Sequence, residues 1–233
     1  MTDNEKDPWL LTPGPLTTSA ATKEAMLHDW GSRDRDFIAI NARVRRRLVE
    51  IAGVAGTHVC VPLQGSGTFA IEATLGTLIP KDGKALVLIN GAYGRRMAKI
   101  LDYADRHYEA LETPEDTPTS LDFLEAALKA DRSITHVLAV HCETTSGILN
   151  PIAGISDITA AQERRLIIDA MSAFGALVLD GATVSFDGLI ASSNKCLEGV
   201  PGLGFAILRR DALEQCRGNA HALSLDLYDQ WRA

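Results

Sequence analysis

The stretch Gly188-Leu-Ile-Ala-Ser-Ser-Asn-Lys195, continued by Cys-Leu-Glu-Gly-Val-Pro-Gly-Leu-Gly-Phe205, decides how the chain is read. Its apolar half, Gly188 to Ala191, predicts a short buried strand that stops at small polar residues and delivers one lysine. A glycine-rich turn comes next, and a second apolar run, Gly204 to Leu208, heads back. Lys195 is thus expected at the rim of a core with little room around it. Such a lysine can lose part of its hydration, which lowers its pKa from roughly 10.4 and frees the amine as a nucleophile. An isolated lysine in a loop is ordinarily a solvated one. The rest of the chain has to supply what a reactive amine requires.

Outward from this hairpin, short apolar runs alternate with amphipathic segments. Val59 to Leu63, Ala85 to Ile89, Thr135 to His141 and Leu166 to Ile168 read as strands, with His107 to Ala110 a shorter one and Ala176 to Leu179 a further apolar piece. Helical spacing marks Phe69 to Ile79, Tyr93 to Tyr103, Ser120 to Ala130 and Ile155 to Arg164. Continuous apolar strands separated by helices predict a three-layer αβα domain around a mostly parallel sheet. Ligands of such sheets sit beyond the carboxyl ends of the strands. Upstream, Thr12-Pro-Gly-Pro15 is a rigid turn, a short helix runs from about Ser19 to Asp29, and Ser32 or Asp34 caps a longer one closed by Gly53. Downstream, Asp211 can cap a helix to about Arg217. Ala222 to Trp231 then starts another, which stops at Ala233 in mid-pattern, as a truncated chain would.

At 233 residues with 46% hydrophobic content, the chain can bury a sizeable core. A net charge of −7 argues against a nucleic-acid partner. The basic cluster Arg43, Arg45, Arg46 and Arg47 falls within a helical pattern and reads as a solvated or salt-bridged face. No run approaches the roughly 18 apolar residues of a membrane span. The acidic start, Met1 to Asp7, lacks the regions of a signal peptide. Cys60, Cys142, Cys196 and Cys216 are widely separated, which suits reduced thiols and gives no metal site. A cytoplasmic location is the expectation.

Five stretches carry chemistry, each placed after a strand. Gln64-Gly-Ser-Gly-Thr68 opens a helix, where backbone N–H groups and the Ser66 and Thr68 hydroxyls form an anion site. With Phe69-Ala70 it also spells G-x-G-x-x-A, so a nucleotide-binding module is an alternative; there, however, the second strand should end in an acid, and here it ends in Asn90-Gly91. Tyr93, in Gly91-Ala-Tyr-Gly-Arg-Arg96, can offer a flat face to an aromatic ligand. His141-Cys-Glu-Thr-Thr-Ser-Gly147 lines a strand end with polar groups; Thr145 and Ser146 can donate to a ligand oxygen, and His141 is either an acid–base group or a structural histidine. Asp169 ends an apolar strand, and a carboxylate there needs a cationic partner: a protonated pyridine nitrogen or an arginine. With Lys195, the ordered set is what holding pyridoxal 5′-phosphate demands.

These motifs, together with Leu10 to Ser19, His28-Asp-Trp-Gly-Ser-Arg33 and Ser193-Asn-Lys-Cys-Leu-Glu-Gly199, resemble the class V aminotransferases of the fold-type I pyridoxal-phosphate enzymes. Within that class they are most similar to the 2-aminoethylphosphonate–pyruvate transaminase family. The resemblance implies Lys195 as the Schiff-base lysine and Asp169 as the pyridinium partner. It implies Tyr93 stacked on the ring, Ser66, Gly67 and Thr68 on the phosphate, and Thr145 beside the phenolic oxygen. It implies transfer of an amino group from 2-aminoethylphosphonate to pyruvate, giving phosphonoacetaldehyde and L-alanine, in a homodimer with sites at the subunit interface. The resemblance also implies a smaller C-terminal domain carrying an arginine for the acceptor carboxylate, which is expected to lie beyond the end of this sequence. The expected organisation is an arm over 1–18, a cofactor-binding large domain over 19–220 and the start of a truncated C-terminal region at 221–233. Other outcomes are an alanine–glyoxylate or serine–glyoxylate type of transamination, or an inactive protein of the same fold.

Overall fold

A seven-stranded sheet forms the middle layer of the protein, seen in a computed structural model that describes residues 7–233. Its strands are β1 (His58–Gln64), β2 (Lys84–Ile89), β3 (His107–Glu112), β4 (Ile134–Val140), β7 (Arg165–Asp169), β8 (Gly188–Ser192) and β9 (Leu203–Arg209). They run in the order β1-β9-β8-β7-β4-β2-β3. All neighbours are parallel except at β9, which is antiparallel to β8 and to β1. The run from Gly204 that heads back from the lysine is thus β9. A separate two-stranded hairpin, β5 (Cys142–Glu143) with β6 (Ile148–Leu149), comes after β4.

The two-residue period of the strands divides the core between the sheet's faces. Leu86, Leu88, Val137, Leu166, Ile168, Leu189 and Ile207 point one way, into a cluster with Leu48, Leu124 and Ile155. These last come from α2 (Arg35–Ile51), α5 (Leu121–Ala130) and α6 (Ile152–Ala161). Val87, Ile89, Leu138, Val140, Ile167, Ile190 and Ala206 point the other way, onto Leu75, Met97, Leu213 and Leu227. That face carries α3 (Gly67–Leu78), α4 (Ala92–Tyr103), α7 (Arg210–Glu214) and α8 (Leu227–Arg232). The three layers expected from the alternating pattern are therefore present.

Local differences from the sequence reading have local causes. The apolar piece at 176–179 is no strand: Leu177 pairs only as a single bridge with Phe174, and Val178 is exposed. The first helix is a single turn, α1 (Ala20–Glu24), tightening into a 3-10 turn at Ala25–Leu27. The helical pattern over 222–231 is interrupted at Asp226, whose backbone is extended and whose carboxylate accepts from Tyr228 N and Asp229 N. Helix α8, begun by this cap, has a partner, since Leu227 is buried against α3 and its N–H donates to Thr77 Oγ1. On α2, Arg46 and Arg47 pair with Glu50, and Arg45 donates to the Cys60 carbonyl, so this basic face is tied within the fold. Of the arm expected over 1–18, residues 1–6 lie outside the described residues. Among the described residues no helix is long and apolar enough to cross a membrane.

Replacing Asp226 with Ala removes both cap bonds of α8. It is expected to cost about 1 kcal/mol, read as a lowered urea midpoint; an unchanged midpoint would show that α8 is held by packing alone.

Candidate functional site

Parallel strands end together, and here five of them, β1, β2, β4, β7 and β8, release their loops at one edge of the sheet. At or just beyond those strand ends stand Ser66–Thr68, Tyr93, Thr145, Asp169 and Lys195 respectively. A cavity of about 440 Å³ opens at that edge, bounded by Ser66, Gly67, Thr68, Tyr93 and Lys195 among others. Asp169 and Thr145 do not line it.

Asp169, the last residue of β7, is 1% exposed. Its Oδ1 accepts the Met171 N–H at 2.9 Å, while Oδ2 is buried with no hydrogen-bond partner. Burial pushes this carboxyl up to about 6 from 3.8; the Met171 N–H opposes that, the neighbouring Glu143 adds to it, and Arg96 and Lys195 pull it back. Lys195, three residues beyond β8 on the adjacent strand, is half-buried, and its Nζ donates to the Gly14 carbonyl at 3.0 Å. The Thr12–Pro15 turn therefore lies against the lysine, with Gly14 at φ 145°.

At the start of α3, Ser66 occupies the N-cap position and its hydroxyl makes no cap bond. The first-turn N–H groups of Gly67 and Thr68 have no partner within the helix, as at every helix start. Tyr93 is half-buried, with the Arg96 guanidinium 4.9 Å from its ring centroid; Arg96 also reaches Thr68 Oγ1 at 3.4 Å. Thr145 is exposed and donates its hydroxyl to Glu143 at 2.8 Å. The His141 imidazole is buried outside the cavity lining, and burial pushes its pKa down. Asn90, where a nucleotide-binding module would carry an acid, is locked into a reciprocal amide pair with Asn150.

Four residues that the sequence reading did not single out belong to this region. Ser192, at the end of β8, lines the cavity with a buried hydroxyl that has no partner, and Met171 and Arg96 line it too. Glu143 is wholly buried between Tyr93 and Thr145. Ser192 and Met171 had a usable signal in their places, three residues before the lysine and two after the strand-end aspartate. Arg96 also had one, a single helical turn beyond Tyr93.

Known proteins are similar to this chain in sequence and in fold. The model of the aminotransferase class-V family matches residues 21–222. The chain belongs to that family. It is 56% identical over 230 residues to a protein of Pseudomonas aeruginosa named 2-aminoethylphosphonate–pyruvate transaminase, covering 99% of this chain and 62% of that one. A Burkholderia lata protein named 2-aminoethylphosphonate–pyruvate transaminase 2 is 57% identical over 224 residues, covering 96% of this chain and 60% of its own length. The chain thus spans about three fifths of these curated relatives. Among solved structures, a pyridoxamine–pyruvate aminotransferase from Mesorhizobium loti superposes with a TM-score of 0.87 at 25% identity, covering 98% of this chain and 59% of the other. An aspartate aminotransferase from Thermus thermophilus superposes with a TM-score of 0.88 at 25% identity, covering 97% and 63%.

Because burial raises the pKa of Asp169, this class-V chain without cofactor is destabilised by the ionised carboxylate. The contribution is favourable below about pH 3.8, where folded and unfolded forms are both protonated, and is lost as pH rises through about 6. Asp169→Asn is expected to stabilise the cofactor-free chain at about pH 7.5 by on the order of 2–3 kcal/mol, and to gain little at about pH 4. Urea midpoints at the two pH values check this; an equal effect at both would contradict it.

Proposed function

We propose that this chain binds pyridoxal 5′-phosphate and forms the cofactor-holding part of a transaminase that moves the amino group of 2-aminoethylphosphonate to pyruvate, yielding phosphonoacetaldehyde and L-alanine. The observation that carries the reading is the unpartnered, buried Oδ2 of Asp169 at the strand end next to the one that delivers Lys195. A buried carboxylate oxygen without a donor is costly, and a protonated pyridine nitrogen is the donor that such a site lacks. The substrate pair comes from the names of relatives at 56 and 57% identity.

The residues present fit the cofactor. Ser66, Gly67 and Thr68 would hold the phosphate through their N–H groups and hydroxyls, and the partnerless Ser192 hydroxyl adds a donor at the cavity wall. Tyr93 would offer its ring to the pyridine, Thr145 would stand near the phenolic oxygen, and Asp169 would keep the ring nitrogen protonated. Pyridoxal phosphate, when bound, supplies an electron sink for the substrate carbon whose C–H bond is broken. Lys195 Nζ would form the covalent link to the cofactor and, once displaced by the substrate amine, take the proton from that carbon. The Gly14 carbonyl beside Nζ orients the amine when it carries a proton. The reading includes a cytoplasmic homodimer.

Adding pyridoxal phosphate to the purified chain is expected to produce the visible absorbance of a lysine-linked cofactor, and Lys195→Ala to abolish it together with alanine formation from 2-aminoethylphosphonate and pyruvate. Retained absorbance in the variant would overturn the role of Lys195. Alanine formed faster from another amino donor would overturn the substrate.

A further inference from the structure

Glu143 takes no part in the chemistry above, yet it is the most deeply buried carboxylate of the region, at 0% exposure. Helix α4 begins after Gly91, which has no side chain to cap it. The acceptor comes from β5 instead: Glu143 Oε2 accepts the Tyr93 N–H at 3.2 Å, where a negative charge also meets the positive end of the helix. The other oxygen, Oε1, accepts the Thr145 hydroxyl at 2.8 Å and its N–H at 3.3 Å. One carboxylate therefore spans the loop after β2 and the turn after β5.

Gly91 supports the same point from the opposite side. Its φ of 166° is extended backbone that any residue adopts. The obstacle to a side chain is instead a contact: a Cβ at this position would fall onto the Glu143 carboxyl group, well inside van der Waals distance. A glycine at 91 gives the carboxylate room to reach the helix start.

We propose that Glu143 is a positioning residue, a buried clamp that holds the backbone of Tyr93 and the Thr145 turn at one spacing, so that a flat ring ligand meets both. This rests on the pyridoxal-phosphate reading. It adds that the placement of two cofactor contacts depends on a side chain that itself touches no cofactor.

The test uses the full chain and pyridoxal phosphate itself, reading affinity from absorbance and ring orientation from visible circular dichroism. Far-ultraviolet dichroism of the cofactor-free chain serves as the folding control. Glu143→Gln keeps the size but turns an amide N–H₂ toward one of the donors; it should weaken binding about tenfold or more and change the dichroism of the bound ring. Gly91→Ala should do the same by displacing the carboxylate. In a Glu143→Ala background the obstacle is gone, so Gly91→Ala should add less than about twofold. Native affinity and native dichroism in Glu143→Gln, or simple additivity of the two changes, would overturn the assignment. If the Glu143 variants fail the folding control, Gly91→Ala decides alone, and native binding there overturns it. No binding by the unaltered chain would defeat the functional reading itself, whereas binding by the unaltered chain and by all variants alike would defeat only the role of Glu143.

Discussion

A carboxylate with one oxygen bonded to backbone and the other enclosed without a donor is the constraint around which this protein is arranged. Asp169 sits at the end of an inner strand, flanked by β4 and β8, where water cannot solvate it. Left alone, such a group is driven toward protonation, as its rise to about 6 reflects. A structural salt bridge would have removed the conflict at once. Instead, the cationic groups acting on it, Arg96 and Lys195, belong to the cavity wall and make no hydrogen bond to Oδ2. The fold thus keeps a penalty in place that the protonated ring nitrogen of the proposed cofactor would relieve.

Sheet topology explains how the remaining groups come to surround that point. Parallel strands with helices on both faces send every strand-to-helix loop to the same edge, and the antiparallel β9 starts at that edge and carries the chain away from the lysine hairpin. Anchoring of those loops is polar and buried. Asn90 and Asn150 exchange amide hydrogen bonds beneath the β2 and β6 exits, and Thr119 N–H donates into the same pair. Glu143 ties the helix start at Tyr93 to the turn at Thr145. The flexible-looking segments of the site are thereby fixed to the rigid sheet rather than to one another alone.

Much of this was legible in the sequence because the signals were local. Apolar runs marked six strands of the main sheet, the mostly exposed β3 being the exception, and each chemical motif stood at or directly after the end of one of them. Lys195 and Asp169 could be paired because both came after buried strands. What stayed hidden depended on partners distant in sequence. Glu143 looked like one polar residue among four, and nothing near it in the chain indicates that it caps a helix starting about fifty residues earlier. The break at Asp226 was masked by Leu223, Leu227 and Trp231, whose four-residue spacing suits one helix until the aspartate's competing bonds to Tyr228 and Asp229 are considered. The apolar piece at 176–179 forms no strand for want of a neighbour, since a short apolar segment becomes a strand only where a ladder receives it.

The central claim is that the free oxygen of Asp169 accepts a proton-bearing ring nitrogen. Nitrogen-15 NMR of ring-labelled pyridoxal phosphate bound to the chain measures this directly. The account predicts a protonated nitrogen at neutral pH, reverting to the unprotonated signal in Asp169→Asn. An unprotonated nitrogen in the unaltered chain, or one that stays protonated when the carboxylate is removed, would contradict it.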